Sequence, residues 1–124
     1  MAGLSYEQTY SFLSRIKENT NRKLLTWKFD STQHRFIAYT ADFAYAISDN
    51  DGDGSPPFTF TVWKRDEIEP LLKIETSISE VFDSKSTVLN MLIQETFEAA
   101  EGSARGYMDL YDALISNLED DSPF

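Results

Sequence analysis

The chain has 124 residues, a formal charge of −10 and no cysteine. That length admits one domain, residues 1–124, with one real core. The missing cysteine removes disulfides, thiolate metal ligands and cysteine catalysis. The start MAGLSYEQ lacks a basic region followed by an apolar run, and no apolar stretch has the length of a bilayer span, so a soluble, cytoplasmic protein is expected.

Ser5 and Gln8 make the S-x-x-Q pattern of a capping box. Tyr6, Tyr10, Phe12, Leu13 and Ile16 follow at three- and four-residue spacing, which predicts a helix from about Tyr6 to about Glu18 that ends in Asn19-Thr20-Asn21. Arg15, Lys17, Arg22 and Lys23 gather at its C-terminal end, suited to the helix dipole and equally to neutralising acids elsewhere in the molecule. Leu25–Phe29, Phe36–Thr40, Phe43–Ser48, Phe58–Lys64 and, more weakly, Leu71–Thr76 read as strands joined by short turns, hence an antiparallel meander. Ser84 or Ser86 starts a second helix with Val88, Leu89, Leu92, Ile93, Phe97 and Ala100 on one face. Gly102 and Gly106 interrupt it. A third helix sets Tyr107, Leu110, Tyr111, Leu114 and Leu118 on one side, and residues 119–124 are expected to fray. The fold class expected is α+β: an N-terminal helix, a four- to five-stranded antiparallel meander and two C-terminal helices packed on one face of the sheet.

The pieces FLSRIKENTNRKLLTWKF, DFAYAISDND, FTFTVWKRDE and MLIQETFEAAEGSARGYMDLYDALISNLE together resemble small bacterial helix–meander–helix proteins, a family with no established activity. The resemblance covers most of the chain and implies the same fold. It implies no mechanism.

Charge is unevenly placed. Residues 1–48 carry six Lys/Arg against four Asp/Glu, a net of +2, while residues 49–124 carry five against seventeen, a net of −12. An acidic half repels phosphate backbones and steers toward basic partners, so no direct nucleic-acid binding and no membrane association are expected. Glu95, Glu98 and Glu101 of the second helix and Asp109 and Asp112 of the third are candidate partner-binding residues. A solvated surface that keeps the chain soluble accounts for the same charges. The sheet face away from the helices, with Ala44, Ala46, Thr59, Thr61 and Trp63, is flat and small-residued, and Ala44, Thr61 and Trp63 on it are the competing docking surface, for a partner or a second copy.

Asp49-Asn50-Asp51-Gly52-Asp53-Gly54 matches the first half of a calcium loop, with Asp49, Asp51 and Asp53 as metal ligands. The match stops there, because Phe60 stands where a bidentate glutamate belongs. The lone His34 sits beside Gln33 and Arg35 with no nucleophile near it in sequence, and no phosphate-binding, hydrolase or metalloprotease motif is present. No cofactor is expected. The function expected is a non-enzymatic interaction protein, monomeric or homodimeric, that binds a basic protein surface as an inhibitor, immunity or regulatory protein. The alternative is a small-ligand or metal-binding domain built on the Asp-rich loop.

Overall fold

The computed structural model describes residues 4–49, 57–75 and 84–120, except the side chains of 84, 86, 107, 108 and 120. Helix α1 (Tyr6–Asn21) begins at the expected capping box: the Ser5 hydroxyl accepts from the Gln8 backbone N–H, and the Gln8 side chain accepts from the Ser5 N–H. It runs three residues beyond Glu18. The buried stripe is Thr9, Leu13, Ile16 and Thr20, while Tyr10 of the expected apolar set is exposed.

The sheet is a five-stranded antiparallel meander in chain order: β1 (Trp27–Asp30), β2 (Arg35–Tyr39), β3 (Phe43–Asp49), β4 (Phe58–Lys64) and β5 (Leu72–Glu75). Asp30 closes the first hairpin, accepting from the Thr32 N–H (3.1 Å) and from Arg35 Nε (3.2 Å). His34, in the left-handed region at φ 53°, is the last residue of that turn, and its ring meets Phe29 edge-on. The register fixes which side chains share a face: Ile47 pairs with Phe60 and Tyr45 with Val62 on the inner face, Ala44 with Trp63 and Ala46 with Thr61 on the outer.

Helices α1, α2 (Ser84–Ala104) and α3 (Tyr107–Asp120) complete the α+β fold. α1 and α2 lie parallel on the inner face. The Lys85 ammonium sits over the Tyr6 ring at one end, and Lys17 meets Glu95 further along. The core between these helices and the sheet is aromatic. Phe12 packs edge-on against Phe60 (5.6 Å between centroids), and Phe97 touches both Phe36 (5.5 Å) and Phe58 (4.8 Å). Phe60 and Leu92, one from the sheet and one from the covering helix, are both buried. Complete burial of a side chain such as Phe60 contributes roughly 1.5–3 kcal/mol over leaving it in water.

Two expectations about the C-terminal half change. Gly102 does not interrupt α2, which continues to Ala104. The break comes at Arg105-Gly106, where Gly106 adopts φ 75°, the left-handed conformation that glycine takes without a Cβ penalty. And the apolar side of α3 does not turn inward. Leu110, Tyr111, Leu114 and Leu118 are 55%, 64%, 53% and 72% exposed; among the described residues α3 packs mainly against α2 and is bridged to Lys23, just past the end of α1. α3 includes Glu119 and Asp120, and residues 121–124 of the expected tail lie outside the described residues.

Candidate functional site

The ends of α1 and α2 meet at Trp27. Its indole Nε1–H donates to the Thr20 hydroxyl (2.9 Å), which in turn donates to the Ile16 carbonyl (2.8 Å). Its backbone N–H donates to the Ser103 hydroxyl near the end of α2 (3.1 Å), and its ring stacks edge-on against Phe60. One residue thereby ties the end of α1, the edge of the sheet and the end of α2 together. Among the described residues no buried side-chain polar atom lacks a hydrogen-bond partner.

Just beyond Thr20, α1 ends in a Schellman arrangement: Lys23 N–H donates to the Thr20 carbonyl and Leu24 N–H to the Asn19 carbonyl. The left-handed position in that turn, usually glycine, is Lys23 at φ 62°. This backbone strain aims its side chain at α3, where Nζ lies 2.8 Å from Asp109 and 2.6 Å from Asp112. Hydrogen bonds to Asp109 first and Asp112 second hold the ammonium well above the ordinary lysine range.

Around this point lies an open groove of about 580 Å³ lined by Lys17, Asn21, Lys23, Glu95, Glu98, Ala99, Gly102, Tyr111 and Asp112. The fold thus gathers three of the five acidic candidates, Glu95, Glu98 and Asp112, and leaves Asp109 and Glu101 at its margins. Most are engaged within the molecule: Glu95 with Lys17 (2.9 Å), Glu101 with Arg105 (3.4 Å), Asp109 and Asp112 with Lys23. Glu98 accepts only a long hydrogen bond from Gln94 (3.4 Å) and meets no cation among the described residues. Exposed pairs of this kind contribute little each, so the α1–α2 side of the groove rests on Trp27 rather than on its charges. The places of Asn21, Gly102 and Tyr111 were missed from the sequence. The only local signal was the stripe Glu95, Glu98, Gly102 along one side of α2.

Ala44, Thr61 and Trp63 do share the outer face of the sheet, but that face is neither bare nor flat. The Arg35 guanidinium lies 4.9 Å from the centre of the Trp63 ring, and Arg65 lies 5.3 Å from that of Tyr39, a second large aromatic there. Arg35 and Trp63 are separated along the strands by the Ile37–Ala46–Thr61 row, so their contact bridges that row, and Ala46 is buried on the outer face. Ala44, Thr61 and Trp63 are all partly buried.

Of the proposed metal ligands, Asp49 ends β3 opposite Phe58, and Asp51 and Asp53 lie outside the described residues. Among the described residues no three His, Cys, Asp or Glu side chains come together in a way that would hold a metal ion. Among them, too, no helix is long and apolar enough to cross a membrane. The chain matches no family model, no curated protein and no solved structure, so its likeness to the bacterial helix–meander–helix proteins rests on sequence pattern alone.

Proposed function

We propose that this protein is a non-enzymatic interaction module that presents its helical side to a basic protein surface, in the manner of an inhibitor, immunity or regulatory protein. The observation that carries this reading is the groove at the α1–α2–α3 junction, where carboxylates from two helices line an open concavity beside Lys17 and Lys23, and Glu98 meets no cation among the described residues. Two further points favour the helical side over the outer sheet face. Guanidinium groups already cover the aromatics of the sheet face. And the acidic half of the sequence supplies both α2 and α3. An acidic surface of this kind sets encounter rate and partner choice more than it sets final affinity.

The ion pairs decide how to test it. Reversing Glu95 would leave Lys17 without its partner and reversing Asp112 would set a second cation beside Lys23, whereas Glu98 and Glu119 take part in no ion pair among the described residues. A Glu98→Lys/Glu119→Lys variant is expected to keep the melting temperature and to slow association with the host protein recovered on the tagged chain by about tenfold or more at low salt. Added salt weakens wild-type binding in parallel. Thr61→Arg, on the outer sheet face, leaves binding unchanged. If Thr61→Arg blocks binding and the charge reversal does not, the docking surface is the sheet and this reading fails.

A further inference from the structure

α3 has no buried anchor among its described side chains. From Asp109 to Glu119 every one is exposed except Ile115, which is half-buried. A helix of 14 residues standing on its own is marginal in water, so the order and the place of α3 depend on what ties it down. The helix leaves α2 at Gly106, whose φ of 75° makes the bend and where a Cβ would meet nothing within 4 Å. That turn therefore stands in open space. Two clefts separate the start of α3 from the body. One is the groove of about 580 Å³, with Tyr111 and Asp112 on its α3 side. The other, of about 150 Å³, is lined by Leu25, Thr26, Ser103, Gly106 and Asp109. Lys23 lines both clefts.

The Lys23 side chain crosses the gap between them, with Nζ 2.8 Å from Asp109 on the side of the smaller cleft and 2.6 Å from Asp112 on the side of the groove. Its backbone holds the left-handed conformation that a glycine would take without strain. The strained residue is thus the one that spans the gap. We infer that Lys23 is a salt-sensitive latch for α3. Latched, the helix closes the α3 side of the groove. Released, it swings about Gly106 and carries Tyr111 and Asp112 away from Glu98, so the groove is complete only in the latched state. Exposed ion pairs are screened by salt, whereas the apolar core beneath α1 and α2 is not. Ionic strength therefore moves α3 without unfolding the rest. The inference concerns where α3 sits, and it holds whether or not a basic partner uses the groove.

The cysteine-free chain accepts a pair of spin labels, at Met91→Cys on α2 and Leu118→Cys on α3, both exposed positions. At low salt the distance between the labels is expected to be narrowly distributed. In about 1 M salt, where the screening length falls to about 3 Å, the share of scattered distances rises about fivefold. Lys23→Gln keeps the length and the backbone strain of the residue and removes its charge. In the labelled chain it gives the scattered distribution already at low salt, and salt adds little. Lys23→Arg keeps both the narrow distribution and the response to salt. The melting temperature stays within a few degrees in every variant, because the core is untouched. Narrow distances that neither salt nor Lys23→Gln changes overturn the inference, since α3 is then held by another contact. So does a scattered distribution in the labelled chain with Lys23 intact at low salt. A response to salt that Lys23→Gln retains in full overturns it as well, because the salt then acts elsewhere.

Discussion

α2 and α3 are neighbours in sequence and are held by opposite means. α2 buries Leu92, Ile93, Phe97 and Ala100 against the sheet and α1. α3 keeps its leucines in water and is attached through the Gly106 turn and the Lys23 bridges. Apolar burial in a packed interior is strong and little affected by ionic screening, whereas exposed ion pairs are weak and responsive to salt. The first holds the scaffold in a single arrangement. The second leaves a helix free to exchange one set of neighbours for another, which suits a surface used for association.

The sharpest way to break the contrast is in the core. Phe60→Ala removes a ring that Phe12, Trp27 and Tyr45 all touch, and chemical denaturation is expected to show a loss of about 3–5 kcal/mol across the whole fold. A smaller effect is expected at the pin between the two regimes. Thr20→Val keeps shape but leaves the buried Trp27 indole N–H without its acceptor, a cost of about 1–3 kcal/mol. The same denaturation measurement should register it, with tryptophan fluorescence shifted as the indole loses its partner. An unchanged midpoint for Thr20→Val would mean that Trp27 does not organise the junction.

The smallest effect on stability is also the most selective. Lys23→Gly removes the left-handed strain and the bridges to α3 together. The melting temperature is expected to stay within a few degrees of wild type or to rise slightly, while amide exchange across residues 109–118 accelerates. Equal loosening of α2 and α3 would contradict the separation drawn here. The pH dependence follows from the same residue. Its folded pKa is raised, so its contribution is complete below the ordinary lysine pKa and is lost only as pH rises through the higher folded value. From neutral pH into mild alkali, the backbone amide shifts of Asp109 and Asp112 in the wild type should therefore stay constant.

What the sequence determined by itself was local or periodic. The capping box needs only Ser5 and Gln8 three residues apart, and alternation along Phe58–Lys64 fixes which side of β4 is buried once one face is covered. Four strands, a weaker fifth and their meander order follow from short links that favour pairing of successive strands. The tertiary structure decided how the charges and the unclaimed apolar side are used. Lys17 finds Glu95 across 78 residues and Lys23 finds Asp112 across 89, distances over which neither periodicity nor composition carries information. The stripe on α3 reads in sequence as a buried one, because spacing records that a face is apolar and not what covers it. Past the Gly106 turn, α3 runs with that face in solvent. The acids of α2 and α3, read as one free negative surface, become mostly paired once α1 is laid beside them. Among the described residues, Glu98 is the carboxylate in the groove that meets no cation.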